Sequence, residues 1–336
     1  MAFELLRPLE QLGEGGQGRV WSTPAVRING TWAVAYKEYS PVTAAQVDWS
    51  VLEQMVRLTP SLPYEDGREL AERSAWPVAI VEKGGHPAGF LMRLVPPDFS
   101  MSLRFPGGTR RVAASLQFLL NPIAYLQARG LEVSDGFRLR LLEQVALTLQ
   151  LLHRHGIAVG DLSPNNIYFN PNSAACFFLD CDGMSLRGRS PLAPVETPEW
   201  QVPAGEPLAT PESDGYKFGL LVVRLFAGDQ MTRDPASLPS GLGQLKELAE
   251  RALDMDPSVR PGMEEWLTVL RTGRALHARS AVVVPATVAP PLSGADTVRR
   301  KVEISAALPR RQYRPQALAW LLLLLLVLLG LFLISF

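Results

Sequence analysis

One short polar segment, Val159–Ile167, places an aspartate and an asparagine five residues apart, at Asp161 and Asn166. A phosphoryl-transfer loop requires this spacing, because the aspartate can accept a proton from an attacking hydroxyl while the asparagine holds a metal ion that bridges nucleotide phosphates. The spacing alone is weak evidence, since many polar loops contain it. Other segments stand in a matching order along the chain, and together they constrain both fold and chemistry.

The first of these segments is glycine-rich: Gly13–Val20 has the pattern G-x-G-x-x-G-x-V. Glycines bring the backbone close to phosphates and offer N–H donors without side-chain obstruction. A dinucleotide-binding loop would continue directly into a helix, whereas strand-forming residues and a turn at Asn29-Gly30 follow here. The pattern therefore predicts a hairpin that covers phosphates. The residues expected to contact the nucleotide there are Gly13, Gly15, Gly16, Gly18 and Val20.

Two charged residues end apolar, strand-like runs. Lys37 follows Ala33–Tyr36, where its ammonium could reach the α- and β-phosphates, although alone it would be an ordinary surface lysine at a strand end. Asp180 follows Phe177–Leu179, which suits a carboxylate that binds Mg²⁺. The sequence thus predicts Lys37 as a phosphate-binding residue and Asp180, with Asn166, as metal ligands.

Two later segments complete the series: Ser213–Gly219, which leads into an apolar helix, and Arg251–Pro261. In this order the segments resemble the eukaryotic-like protein kinases over roughly residues 7–271. The likeness is greatest to a bacterial branch in which Asp-Cys-Asp, at residues 180–182, replaces the usual metal-binding DFG.

The resemblance implies an α+β, two-lobed fold with a β-rich N-lobe over about 7–95, a mainly helical C-lobe over about 96–271, and ATP between them. It also implies the site. Asp161 would be the catalytic base, acting with Lys37 and Asn166 on ATP and Mg²⁺, and the acceptor would be a hydroxyl of a protein substrate.

The chain departs from the family pattern at three places. Val159-Gly160 replaces His-Arg, whose arginine normally pairs with a phosphorylated activation loop, so loop phosphorylation is not expected to be the on-switch. Ser163 stands where a lysine usually contacts the γ-phosphate. Ala204 replaces the glutamate of A-P-E, and Glu206 is a candidate substitute partner for the late arginine, Arg260.

Two acidic positions remain open. In the family, the lysine pairs with a glutamate on a following helix. Residues 44–58 are predicted to be helical, and Glu53 is the candidate, with Glu65 and Glu69 as alternatives. Asp182 would share a side with the metal-binding carboxylate in an extended segment, but a turn residue before a glycine is the favoured interpretation.

Within the C-lobe, residues Ala113–Ala128 and Phe137–His153 are predicted to be helical, the first interrupted at Asn121-Pro122. Arg110-Arg111 is interpreted as the solvated start of the first helix. The two cysteines, Cys176 and Cys181, do not indicate a disulfide scaffold.

The C-terminal residues Ala317–Phe336 are uncharged and mostly leucine. Twenty helical residues span ~30 Å, the thickness of a bilayer core, so a transmembrane tail anchor is predicted over about 316–336. A flexible Pro-rich and then basic linker is predicted over 272–315. Because basic flanks stay on the cytoplasmic side, the kinase-like domain is expected to be held at the cytoplasmic face of a membrane.

Composition narrows the function further. The chain has 33 basic and 33 acidic residues, so nothing indicates broad attraction to nucleic acid. A membrane-tethered serine/threonine protein kinase is the favoured function. The alternatives are a pseudokinase that acts as a nucleotide-binding signalling scaffold and, less favoured, a small-molecule kinase.

Overall fold

The computed structural model describes residues 1–277. The predicted membrane anchor and most of the predicted linker lie outside the described residues. Within residues 1–277, no helix is both long and apolar enough to cross a bilayer. The fold is α+β, with a β-rich N-terminal sheet and a helical C-terminal part, an arrangement compatible with the predicted two lobes.

The N-terminal sheet is antiparallel and has the strand order β1-β2-β3-β5-β4. Its strands are β1 (Glu10–Gly15), β2 (Gly18–Ile28), β3 (Trp32–Tyr39), β4 (Pro77–Lys83) and β5 (His86–Arg93). The β2–β3 turn follows from Asn29 and Gly30, which both adopt positive φ, as a tight hairpin turn requires. Three helices connect β3 to β4: α1 (Pro41–Ala44), α2 (Trp49–Ser61) and α3 (Tyr64–Arg73).

Both faces of this sheet are covered, so β3 is buried on both sides. Val34 and Tyr36 face an outer cluster that the N-terminal residues Phe3 and Leu6 complete. The next residue along the strand, Lys37, is buried on the opposite face, as the period of two in a strand requires. The sheet thereby delivers a lysine to its inner side.

Helix α2 packs against the inner side of the sheet through Leu52 and Met55. Asp48 begins this helix, because its carboxylate accepts the backbone N–H groups of Ser50 and Val51. The predicted helix over 44–58 is therefore confirmed in its main part, with its start moved to the capping residue. The buried Trp76 contacts the middle of α2, donating its indole N–H to the Met55 carbonyl at 2.8 Å.

The C-terminal part begins with a hairpin that the sequence-based prediction missed. It consists of β6 (Ser100–Phe105) and β7 (Gly108–Ala113). The prediction that a helix starts at Ala113 and that Arg110-Arg111 opens it is wrong, because both arginines lie in β7. Apolar side chains alternate along β6 and a Pro-Gly-Gly turn comes after it, which is a hairpin pattern.

Helices form most of the C-terminal part beyond this hairpin. The remaining elements are α4 (Ile123–Ala128), α5 (Asp135–Arg154), β8 (Ile157–Ala158), β9 (Ile167–Phe169), β10 (Cys176–Phe178), β11 (Ser185–Leu186), α6 (Pro211–Ala227), α7 (Gly243–Ala252) and α8 (Met263–His277). The predicted helix over 137–153 is confirmed as α5.

Helix α6 is the centre of this part, and nearly all of its residues are buried. Thr210 begins it with a reciprocal capping box to Ser213. Phe218 on α6 packs edge-to-face on Trp266 of α8, with ring centroids 5.1 Å apart. Helix α8 continues to His277, six residues beyond the predicted domain boundary.

Candidate functional site

The loop between β8 and β9 carries Asp161 and is held from behind by α6. Asp214, in the first turn of α6, accepts the backbone N–H groups of Val159 at 2.7 Å and Gly160 at 2.9 Å. His153 Nε2 lies 2.9 Å from the same carboxylate. These buried bonds fix the backbone immediately before Asp161.

Gly160 has a structural reason to be glycine. Its φ is +73°, and a Cβ there would lie 3.0 Å from the Cβ of Ala209. Both the left-handed backbone and the close neighbour disfavour a larger residue at this position.

Asp161 is engaged on both carboxylate oxygens. Thr197 donates its backbone N–H to Oδ1 at 2.8 Å and its hydroxyl to Oδ2 at 2.9 Å. Asn166 donates its side-chain amide to Oδ2 at 3.0 Å. The structure thus brings the predicted residues Asp161 and Asn166 together and adds Thr197, which sequence reasoning missed.

A buried ion pair lies behind Asp161, and it was also missed. Lys217 on α6 is 1% exposed, and its ammonium lies 2.7 Å from Glu196 Oε1 and 2.6 Å from the Gly160 carbonyl oxygen. The sequence did contain a signal for this pair. Lys217 is a charged residue within the apolar run of α6, and a buried lysine needs a partner.

Lys37 is the centre of a second group of contacts, which we call the upper half of the site; the contacts around Asp161 form the lower half. Its ammonium lies 2.8 Å from both carboxylate oxygens of Asp182. Gln17 Oε1 accepts a bond from it at 2.8 Å, and Asp180 Oδ1 is 3.4 Å away. Residues from the glycine-rich hairpin, the sheet and the loop after β10 therefore converge on one ammonium group.

The electrostatics keep this lysine charged. Burial by itself would lower the pKa of Lys37, but the charges and hydrogen bonds of Asp182 and Asp180 outweigh it, and the net pKa is raised. Tyr39 donates its hydroxyl to Asp182 Oδ2 at 2.8 Å. Burial, and then the charge of Asp182, raise the pKa of Tyr39, so this hydroxyl stays a donor.

Asp182 lies in the one-turn 3-10 helix Cys181–Gly183, so its predicted place in a turn before Gly183 is confirmed. Its role was not predicted: it is fully buried and forms the closest ion pair with Lys37. The chain turns directly after Asp180, which adopts a left-handed backbone at φ 48°. This fold sends Asp182 into the protein.

The prediction that Glu53 pairs with Lys37 is also wrong. Glu53 is exposed on α2 and pairs with Arg57 at 2.6 Å, one helical turn away. The buried stripe of α2 consists of its neighbours, Leu52 and Met55 among them, so Glu53 faces solvent. The alternatives fare no better, since Glu65 and Glu69 pair with arginines of α3 at 3.9 and 2.9 Å.

The glycine-rich segment forms the predicted hairpin, with Gly15 paired to Gly18 at its end. A Cβ on Gly18 would collide with the Glu38 carbonyl oxygen, so packing within the sheet requires this glycine. A Cβ on Gly13, Gly15 or Gly16 would meet nothing within 4 Å. Those glycines leave free space that a phosphate could approach. Val20 pairs directly with Lys37 across β2 and β3.

Asp180 and Asn166 are the candidate metal ligands, and their chemistry fits Mg²⁺. The Asp180 side chain is 64% exposed and strained in backbone, as functional residues often are. The amide nitrogen of Asn166 donates to Asp161, which leaves its amide oxygen for a cation. The backbone ties the two together, because Leu179 N–H donates to the Asn166 carbonyl at 2.8 Å. Mg²⁺ takes few protein oxygens and completes its shell with phosphates and water.

Larger ligand sets are absent from the part of the chain that the structure describes: no group of three or more His, Cys, Asp or Glu side chains is arranged to hold a metal. A shared site, completed by phosphate oxygens, is what these residues can offer.

The predicted pairing of Glu206 with Arg260 is confirmed. The guanidinium donates to both carboxylate oxygens, at 2.6 and 2.7 Å, and both side chains are buried. Two parallel bonds of this kind are the strongest geometry for such a pair. Glu206 thus supplies the carboxylate that Ala204 lacks.

No protein-family model matches the chain, and a search of curated proteins returns no significant match. The residues and their geometry are therefore the only basis for assigning a function.

Proposed function

We propose that this chain is an ATP-dependent serine/threonine protein kinase with a two-lobed kinase-like fold. One observation carries the proposal. Lys37 Nζ and Asp180 Oδ1 are 143 residues apart in sequence and lie 3.4 Å apart in space. A chance motif would not bring a phosphate-binding lysine beside a metal-binding carboxylate.

Each residue then has a role that its surroundings support. The hairpin Gly13–Val20 and Lys37 would bind the phosphates, because the glycines leave open space and the ammonium is charged. Mg²⁺, when bound by Asp180 and Asn166, would withdraw negative charge from those phosphates.

Asp161 would act on the acceptor. As the hydroxyl oxygen of the substrate forms its bond to the γ-phosphorus, the bond from that phosphorus to the β–γ bridging oxygen breaks and ADP leaves. The hydroxyl proton passes to the Asp161 carboxylate and from there to solvent. Thr197 and Asn166 hold that carboxylate in one orientation through three hydrogen bonds, and Asn166 also donates to the Asp161 backbone carbonyl.

The proposal includes a membrane tether, on sequence grounds alone. Residues 316–336 are long and apolar enough to span a bilayer, and the residues before them are basic. The catalytic domain would then act on protein substrates at the cytoplasmic face.

A second function, a nucleotide-binding scaffold without transfer, is favoured by one observation. Three protein groups already surround the Lys37 ammonium: Asp182, Asp180 and Gln17. In addition, Ser163 supplies no cation, and its buried hydroxyl has no hydrogen-bond partner among residues 1–277. A phosphate must therefore displace an existing partner of Lys37 to bind as in an active kinase.

The decisive experiment compares the full chain, in detergent micelles with Mg-ATP, with its Asp161→Asn variant. Intact mass is recorded before and after incubation, with a general acceptor protein present. We expect phosphate-sized mass gains on chain or acceptor with the wild type alone. Nucleotide binding by both proteins without any mass gain would support the scaffold instead. Phosphate transfer to small alcohols or sugars but to no protein would support a small-molecule kinase.

A further inference from the structure

A buried ion pair links three separate parts of the site. Lys217 comes from α6 and Glu196 from the segment that follows the metal-binding loop, and their charged atoms are 2.7 Å apart. The lysine side chain is 1% exposed and the glutamate side chain 14%. An ion pair this dry is not a surface contact, and its loss would leave a charge in a poorly solvated place.

Each partner has a second contact, and that of Lys217 reaches the residue before the candidate base. Lys217 Nζ donates to the carbonyl oxygen of Gly160, the residue before Asp161, at 2.6 Å. Glu196 Oε1 also accepts the backbone N–H of Val202 at 3.0 Å. The residue after Glu196 is Thr197, whose N–H and hydroxyl both bind Asp161.

We propose that Glu196 and Lys217 are positioning residues that hold Thr197 against Asp161. They form a built-in latch, so the segment 196–202 is ordered without an added phosphate group. The inference rests on the proposed kinase function, which it deepens by naming how the site is regulated.

Gly160, the residue before Asp161, explains why the cation of this ion pair, Lys217, comes from α6. Gly160 has φ +73° and a Cβ would lie 3.0 Å from the Cβ of Ala209, so an arginine there to receive a phosphorylated side chain would be strained. Lys217 instead approaches from the buried side and meets a carboxylate that is part of the chain. A permanent anion at Glu196 takes the role that a transferred phosphate would otherwise have.

The test compares Glu196→Gln, Lys217→Met and the double variant in the full chain in detergent micelles. We expect kcat to fall about 100-fold in each, since small displacements of a catalytic group cost about that much. The Kd for Mg-ATP should change less than about twofold, because neither residue contacts Lys37 or Asp180. The double variant removes both charges and should regain thermal stability but not kcat, which separates positioning from folding.

Glu265→Gln is the matched control, since it removes the carboxylate of an exposed ion pair with Arg251 at 2.7 Å. It should leave kcat and hydrogen exchange unchanged. In the latch variants, amide hydrogen exchange of the peptide 194–203 should become about tenfold faster, with exchange in α5 unchanged.

Two outcomes would overturn the latch. One is unaltered exchange of peptide 194–203 in Glu196→Gln, which decides the matter even if the wild type transfers no phosphate. The other is loss of activity in wild-type protein that has been treated with phosphatase and shown by peptide mass to carry no phosphate between residues 183 and 210. The latch predicts full activity of that protein, because it needs no added phosphate.

Discussion

The two halves of the candidate site are built in different ways. In the lower half, Asp161 is held by Thr197 and Asn166, and α6 supports the loop through Asp214 and Lys217. In the upper half, Lys37 shares its donors between a buried carboxylate, an exposed one and a glutamine from the hairpin tip. The lower half is held by protein contacts alone, whereas under the proposed function the upper half would exchange partners to admit a phosphate. We therefore expect nucleotide binding to reorganise the upper half alone.

Within the upper half, the two carboxylates near Lys37 also differ from each other. Asp182 is buried against Lys37 and Tyr39, while the Asp180 side chain is 64% exposed. Two carboxylates two residues apart thus have different surroundings: one is held against the lysine, and the other is the proposed metal ligand. Helix α2, with its exposed Glu53, takes no part in holding the lysine.

The largest expected difference between the two halves is the difference between the variants Lys37→Met and Asp161→Asn. Each should lower the transfer rate by about 10³-fold, since one removes a charge that stabilises the transition state and the other removes the base. Only Lys37→Met should also weaken binding of Mg-ATP, measured by calorimetry. Equal loss of ATP affinity in both variants would show that the halves are not separate.

A second comparison sets Asp182→Asn against Glu53→Gln. Losing the Asp182 charge should raise the KM for ATP about 100-fold, because Lys37 is no longer oriented, and lower the free energy of unfolding by roughly 3 kcal/mol. Glu53→Gln, which touches only an exposed pair, should cost under about 0.5 kcal/mol. Steady-state kinetics and urea unfolding measure both. A larger effect at Glu53 than at Asp182 would restore α2 as the partner of the lysine.

The third comparison tests whether burial decides how much an ion pair stabilises the C-terminal part. Arg260→Met breaks a buried bidentate pair with Glu206 and should lower the free energy of unfolding by roughly 3–5 kcal/mol. Arg251→Met breaks an exposed pair with Glu265 and should cost under about 1 kcal/mol. Denaturant unfolding of the two variants gives the contrast directly. Similar losses would mean that burial does not decide the strength of these pairs.

The smallest effect is expected at the hairpin tip. Gln17→Ala removes a neutral partner of Lys37 that a phosphate must displace, so ATP should bind about fivefold more tightly, the value of one net hydrogen bond. Gln11→Ala is the matched control, since Gln11 bonds only Glu14 within the same hairpin. Titration with a fluorescent ATP analogue measures both. Weaker binding in Gln17→Ala would show that Gln17 assists phosphate binding instead.

Local pattern was a reliable guide to the elements that carry the site. The glycine-rich hairpin, the Asn29-Gly30 turn and α5 follow from backbone freedom and from a helical stripe of apolar residues. The strand that carries Lys37 is likewise predicted by its apolar run. Failure came at Ala113, where alternation through β6 and β7 was overlooked.

The partners of the ion pairs were harder to predict than the helices and strands, because local pattern does not determine which charged residues meet. Arg260 and Glu206 were matched correctly because Glu206 lies two residues after Ala204, at the place where the resemblance implies a glutamate. Asp182 was correctly placed in a turn, but its pairing with Lys37 was not predicted, because a single left-handed residue, Asp180, decides where the chain turns. Glu196 lies within an irregular segment that has no periodic pattern to place it.

The sequence by itself determined which chemical groups are available and in what order the chain presents them. It placed an aspartate and an asparagine on one loop, a lysine on a strand and a carboxylate after another strand. Only the tertiary structure decided which charge meets which: Asp182 instead of Glu53 for Lys37, and Glu196 for Lys217. The reason is that an ion pair depends on distance and burial, and residues far apart in the chain acquire both only when the sheet and helices pack.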